Sequence, residues 1–284
     1  MMTKFDYHRP STVEEAVGLL EMYGEEAKVF AGGTDLFVLM RDRILRPKHV
    51  VDLKGVKELG EISYSERAGL RIGATATLAQ LLKSEIVKEK FHVLWDAARV
   101  LADPILRQRA TLVGNICNAS PAADTAPALL VLNAEVEVAG KAGVRRVPIR
   151  QFFVGVKRTI VGPNELVTAV IIPEPPKGSV GRYLKWGRTR GEDLAIVGVA
   201  LLVADGGRDV RIALSSVYKT PILIEEVGKI FREEGPVEEK IKKAVETVRA
   251  KISPISDVRA SREYRLHMAG VLVERGLKEL LGVK

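Results

Sequence analysis

A chain of 284 residues, 46% hydrophobic and 28% charged, suffices for one large domain or two ordinary ones with an ample buried core. Its one cysteine, Cys117, excludes an intrachain disulfide. With four scattered histidines (His8, His49, His92, His267) and no HxxxH spacing, it also leaves no metal or iron–sulfur site that this chain would build alone. The formal charge of +8 raises a nucleic-acid or anionic-lipid partner, but basic and acidic residues are interleaved and only 5% are aromatic. Clusters such as Arg41–Arg46, Arg145-Arg146 and Lys240–Lys243 therefore read as solvated faces, and no nucleic-acid partner is expected.

Met1–Pro10 has no apolar segment, so no signal peptide is expected. Ser11-Thr12-Val13-Glu14 reads as a capping box opening a helix through Tyr23, stopped by Gly24. A strand over Lys28–Ala31 enters Gly32-Gly33, and an amphipathic helix from Asp35 to Ile44 leaves it, ended by Pro47. His49–Leu53 is the next strand, Gly55–Glu66 a polar loop, and Leu70–Gly73 a strand. Thr77–Gln80 is a second capping box starting a helix through about Val87, and another helix over Val93–Leu101 stops at Pro104.

Beyond Asp124 the pattern gives a short helix over Ala128–Leu132, then a hairpin of Glu135–Ala139 and Val144–Ile149 turning at Gly140–Gly143. A strand over Glu165–Ile172 follows. Pro173-Glu174-Pro175-Pro176-Lys177-Gly178 is the best domain boundary, which sets domains at 1–176 (lobes of about 1–54 and 55–176) and 177–284. Past it, Arg182–Trp186 and Leu194–Ala204 read as strands, and Asp205–Arg208 as a hairpin turn into Val210–Val217. Pro221–Glu233, Val237–Ile252 and Val258–Leu281 read as helices. The apolar run Leu194–Ala204 is too short to cross a bilayer, so the reading expects a cytoplasmic chain with no transmembrane segment. Mixed helices and strands followed by a sheet and then helices give an α+β fold in two regions, without a regular βαβ series.

The sequence has no GxGxxG, GxxxxGK[ST] or GxSxG turn and no obvious nucleophile–base pairing. What remains is two glycine turns, Phe30-Ala31-Gly32-Gly33-Thr34-Asp35-Leu36 and Thr111-Leu112-Val113-Gly114-Asn115, the second running on to Asp124. Each alone reads as an ordinary tight turn. Together they can offer backbone N–H groups to one anionic ligand from two sides.

The wording of these segments closely resembles the FAD-binding subunit of the molybdenum hydroxylases, the xanthine, carbon monoxide and aldehyde dehydrogenase group. The resemblance runs from Ala31–Leu36 through Ala110–Pro127, to Tyr183-Leu184-Lys185, Arg190–Ala195 and Asp257–Arg265, and so covers nearly the whole chain in order. It implies a two-lobed FAD-binding domain of the PCMH/vanillyl-alcohol-oxidase type, followed by a smaller C-terminal domain with a sheet and helices. It implies a non-covalent FAD whose diphosphate lies between the two turns.

Carried over residue by residue, Val29, Phe30, Ala31, Gly32, Gly33, Thr34, Asp35 and Leu36 form one wall of the site, and Thr111, Gly114 and Asn115 the other. Asp124 binds the hydroxyl-bearing chain, and Leu101 with Leu166 or Val167 packs on the cofactor. Lys185 stands near the pyrimidine end of the flavin, a residue that without the resemblance reads as a surface lysine. The family has two glycines in the second turn where this chain has Val113. Either that position is not left-handed here, or the phosphate is held farther off. Cys117 reads either as a thiol that reacts with flavin or, with better support, as a small buried apolar residue with nothing nearby to lower its pKa.

By the same resemblance, a large molybdopterin subunit oxidises substrate and a small subunit with two [2Fe–2S] clusters relays electrons to this FAD. The flavin reduces an external acceptor, in what is expected to be a dimer of heterotrimers. A stand-alone FAD oxidoreductase and a flavin-free structural subunit bridging partners are the rivals, Val113 favouring the second.

Overall fold

The computed structural model describes residues 3–189 and 192–283. Arg190 and Gly191, part of the family-like wording, lie outside the described residues. The first lobe is built from β1 (Asp6–His8), α1 (Val13–Tyr23), β2 (Ala27–Phe30), α2 (Leu36–Arg41) and β3 (His49–Asp52). Its sheet has the order β1-β3-β2 with parallel pairing throughout, because helical crossovers return each strand in the same direction. Ala16, Val17 and Leu20 are the buried residues of α1. Its cap sits one residue later than the sequence pattern implies. Thr12 accepts from the Glu15 N–H at 3.1 Å, and the Glu15 carboxylate reaches back to the Ser11 N–H at 2.7 Å, so Glu15 rather than Glu14 occupies the third helical position.

The second lobe starts with β4 (Ile62–Ser65), a strand hidden inside the polar stretch read as loop, and β5 (Gly69–Gly73). Six short helices follow: α3 (Leu78–Lys83), α4 (Glu85–Lys90), α5 (His92–Arg99), α6 (Pro104–Arg107), α7 (Leu112–Cys117) and α8 (Thr125–Val131). The Thr77–Gln80 capping box is present, but extended backbone at Ser84 divides the helix expected from it into α3 and α4. The lobe closes with β6 (Glu135–Gly140), β7 (Gly143–Pro148), α9 (Ile149–Phe152), β8 (Phe153–Gly155), β9 (Arg158–Thr159) and β10 (Leu166–Ile172). Its antiparallel sheet runs β4-β5-β10-β6-β7, and β10 at the centre is buried at every position.

After Pro173–Gly178 come β11 (Val180–Trp186), β12 (Val197–Ala204), β13 (Asp209–Ser215) and β14 (Ile222–Leu223), antiparallel in that order. Three helices end the chain, α10 (Glu226–Arg232), α11 (Val237–Lys251) and α12 (Arg262–Leu281). The helix expected from Pro221 begins late because Ile222 and Leu223 pair with β13 instead. Alternation along β12 sorts its side chains into two cores. Val197, Val199, Leu201 and Val203 pack with the C-terminal helices, whereas Ala200 and Leu202, with Ala213 of β13, join the core of the second lobe beneath α5 and α8. The mixed architecture, a two-lobed region followed by a sheet with helices, is the α+β fold expected. The linker divides the chain, but the third sheet is buried on both faces and one face is lined by the first region.

That shared face yields a stability prediction. Leu202 is 2% exposed, and Leu202→Ala should cost about 3 kcal/mol of unfolding free energy in urea denaturation. Far-UV circular dichroism and Trp fluorescence should then report one coincident transition. Two separated transitions would show that the regions fold independently.

Candidate functional site

The first glycine turn joins β2 to α2. Gly33 has φ +76°, and its carbonyl accepts from Phe37 N–H at 3.0 Å to start the helix. The N–H groups of Gly33, Thr34, Asp35 and Leu36 meet no acceptor among the described residues, which leaves a row of backbone donors. Beneath the turn, Lys54 Nζ lies 2.6 Å from Asp52 Oδ1, 3.3 Å from the Ala31 carbonyl and 3.3 Å from the centre of the Phe30 ring. Tyr7 donates to the other oxygen of Asp52. Burial pushes the Asp52 carboxyl up, but the hydrogen bonds from Lys54 and Tyr7 outweigh it and hold the group below its ordinary range.

The second turn is a helix start. Thr111, with extended backbone, caps α7 by accepting from Gly114 N–H at 2.9 Å. A Cβ on Gly114 would stand 2.8 Å from the Thr111 hydroxyl, so a side chain there would make the cap shift. Val113 lies within the helix, 4% exposed and packed in the core, and is not among the residues with positive φ. Of the two alternatives for this position, the site is simply not left-handed. Asn115 follows, its Oδ1 accepting from Thr125 Oγ1 at 2.6 Å.

The turns touch. A Cβ on Gly32 would lie 2.1 Å from the Arg109 carbonyl oxygen, so only glycine lets the two backbones cross this closely. A second tie crosses the lobes, with Asn118 Nδ2 donating to Asp35 Oδ1 at 2.7 Å while Lys157 Nζ donates to Asn118 Oδ1 at 2.8 Å. Between these contacts lies a cleft of about 500 Å³, within the range of small-molecule sites.

Val29, Ala31, Gly32, Gly33, Thr34, Asp35, Leu36, Leu101, Thr111, Gly114, Asn115, Leu166 and Val167 all line it. Leu101 is held there by Arg107, whose guanidinium donates to the Leu101 and Ala102 carbonyls at 2.8 and 2.7 Å. Lys28, Asn118, Glu165 and, from one stretch, Thr159, Val161, Gly162 and Pro163 line it as well and were not read from the sequence. The Gly162-Pro163 turn ahead of β10 was the available signal for the last of these.

Phe30, Asp124 and Lys185 are not on the wall. Phe30 is 7% exposed and packs against Phe37 and Lys54 instead. Asp124, 6% exposed, gives Oδ1 to Tyr183 Oη (2.8 Å) and Oδ2 to Lys185 Nζ (2.9 Å). Lys185 also donates to the carbonyl of Val100, the residue before Leu101, at 3.1 Å. The pair thus stands one layer behind the cleft, against β11, and Lys185 is no surface lysine. Burial raises the Asp124 pKa more than Lys185 lowers it, and burial beside Asp124 lifts Tyr183 well above a free phenol. Cys117 is exposed on the cleft wall rather than buried as the sequence reading had it. Protein enclosing the thiol on its other sides pushes its pKa up to about 12, so it is no ready nucleophile.

Known proteins fit this geometry. A family described as the FAD binding domain in molybdopterin dehydrogenase matches residues 3–175, and one described as the CO dehydrogenase flavoprotein C-terminal domain matches residues 182–280. The chain is 35% identical over 276 residues to the carbon monoxide dehydrogenase medium chain of Afipia carboxidovorans, covering 96% of each. It is 32% identical over 278 residues to the xanthine dehydrogenase FAD-binding subunit of Escherichia coli O157:H7, covering 96% of this chain and 94% of that one. The solved carbon monoxide dehydrogenase from Hydrogenophaga pseudoflava superposes with a TM-score of 0.94 at 31% identity over 99% of both chains.

Two outcomes follow from the geometry. Gly32→Ala should drive the turns apart at Arg109 and weaken FAD uptake by about tenfold or more, read by titration of the apoprotein. The Cys117 thiol should alkylate at pH 8 at least about a hundredfold slower than a free cysteine. Rates that match free thiol would place its pKa near the ordinary value.

Proposed function

The chain belongs to the FAD-binding medium-subunit family of the molybdenum hydroxylases, and we propose that it is the electron-exit flavoprotein of such an enzyme. In this reading a small [2Fe–2S] subunit and a large molybdopterin subunit complete a heterotrimer. Two trimers associate, and the assembly works in the cytoplasm. Bound FAD supplies the redox chemistry, taking electrons from the iron–sulfur partner and giving them to an external acceptor.

The observation that carries the reading is the row of amides at Gly33–Leu36, unpaired among the described residues, on a cleft shared with Thr111, Gly114 and Asn115. Those donors fit a diphosphate, and the close backbone crossing at Gly32 leaves room for nothing larger than hydrogen on that wall. Leu101, Leu166 and Val167 offer apolar surface to a planar ring. Lys28 lines the cleft and brings positive charge to it, whereas Lys54 lies beneath the turn, paired with Asp52. The buried Asp124–Lys185 pair acts from behind, bracing the Val100–Leu101 segment through the Val100 carbonyl.

Neither rival gains a specific observation. The flavin-free scaffold leaned on Val113, which sits in a helix and leaves the turn intact. A flavin oxidase with its own organic substrate wants a free base beside the ring; no histidine lines the cleft among the described residues, and its carboxylates Asp35 and Glu165 are bonded to Asn118 and Arg145. No helix among the described residues is long and apolar enough to cross a membrane.

The test begins with the visible spectrum of the purified chain, native and then heat-denatured. Flavin bands that pass into the supernatant are expected. A colourless chain that takes up no added FAD would sink the proposal, and colour retained by the precipitate would mean covalent attachment. Mixing the flavin-loaded chain with a reduced [2Fe–2S] partner subunit should then bleach the flavin. Flavin that stays oxidised in a formed complex would remove the electron-transfer role.

A further inference from the structure

The C-terminal sheet gives no side chain to the cleft wall, yet it grips the segment just behind that wall. Ser216 N–H donates to the Pro121 carbonyl at 2.7 Å, and Tyr183 and Lys185 engage both oxygens of Asp124. The next residue, Thr125, opens α8 and is fully buried, and its hydroxyl donates to Asn115 Oδ1 at 2.6 Å. An asparagine amide is an acceptor at one end and a donor at the other. With Oδ1 engaged by Thr125, the donor Nδ2, which meets no acceptor among the described residues, is the end left for a ligand.

We infer that Thr125 is a positioning residue that anchors the side-chain amide of Asn115 on the cleft wall, so that its other end meets bound FAD at a fixed place. This rests on the reading of the cleft as the FAD site. A cofactor oxygen that accepts from Nδ2 then meets an amide already held in place, and binding costs less side-chain freedom than with an amide free to rotate. Because Thr125 is adjacent to Asp124, the sheet that holds Asp124 sets where Thr125 stands. The C-terminal region thereby reaches the cofactor through one buried hydroxyl.

The experiment is a double-mutant cycle read by FAD titration of apoprotein. It uses wild type, Thr125→Val, Thr125→Ser, Asn115→Ala and the Thr125→Val/Asn115→Ala double variant, each with its melting temperature. Thr125→Val keeps the buried shape and removes the hydroxyl, and it should weaken FAD binding about tenfold. Thr125→Ser should bind within about twofold of wild type, and in the Asn115→Ala background Thr125→Val should cost nothing further. Should Thr125→Val fail to fold, Thr125→Ala takes its place in the cycle. A loss undiminished in the Asn115→Ala background, or no loss at all, would overturn the role assigned to Thr125. A wild-type chain that takes up no FAD would instead overturn the cleft reading itself, and this assignment with it.

Discussion

The site depends on one backbone contact. Gly32 lies so close to the Arg109 carbonyl that no side chain fits between them, and this contact sets the spacing of the two turns. Around it the remaining ties fall into place. Lys54 binds the Ala31 carbonyl from below, Thr111 caps α7, and Asp35, Asn118 and Lys157 join the lobes from the other side. A recognition surface built from main-chain amides has little freedom to adapt, so its geometry is held by packing on both flanks rather than by flexible side chains.

Much of this was legible in the sequence because the elements concerned are short and strongly marked. The Thr77–Gln80 cap, the β6–β7 hairpin, and the cleft residues Ala31–Leu36 and Thr111–Asn115 could be read from residue type and order. What could not be read lay in side-chain direction and long-range partnership. Phe30 belongs to the first motif by position, but it packs against Phe37 in a small core of its own. Asp124 reads as a ligand from its place in the second motif, and no local pattern shows that Tyr183 and Lys185, some sixty positions away, also bond to it. Val113 looked like a defect in a glycine turn because the pattern gave no hint that Thr111 starts a helix there.

The charges follow the same division. Exposed pairs such as Lys48–Glu26 are screened by solvent and contribute little. Asp52 and Asp124 are buried, each matched to a lysine and a tyrosine, and each stands directly behind one wall of the cleft. The two clusters are alike in composition but opposite in balance, since hydrogen bonds win over burial at Asp52 and burial wins at Asp124. The cleft itself is lined mainly by small and aliphatic residues, with Lys28, Asp35 and Glu165 as the charged ones among the described residues.

The sheet shared between the two regions also limits how such chains can be recombined. A graft that joins the front of one relative to the back of another at Pro173–Gly178 falls at a break in the chain but across a continuous interior. Ala200, Leu202 and Ala213 would have to mesh with an unfamiliar α5 and α8. Inheritance of the flavin-binding front and the C-terminal region should therefore be joint, with compensating changes on the two sides of that face and free exchange only on the outer surfaces of α11 and α12.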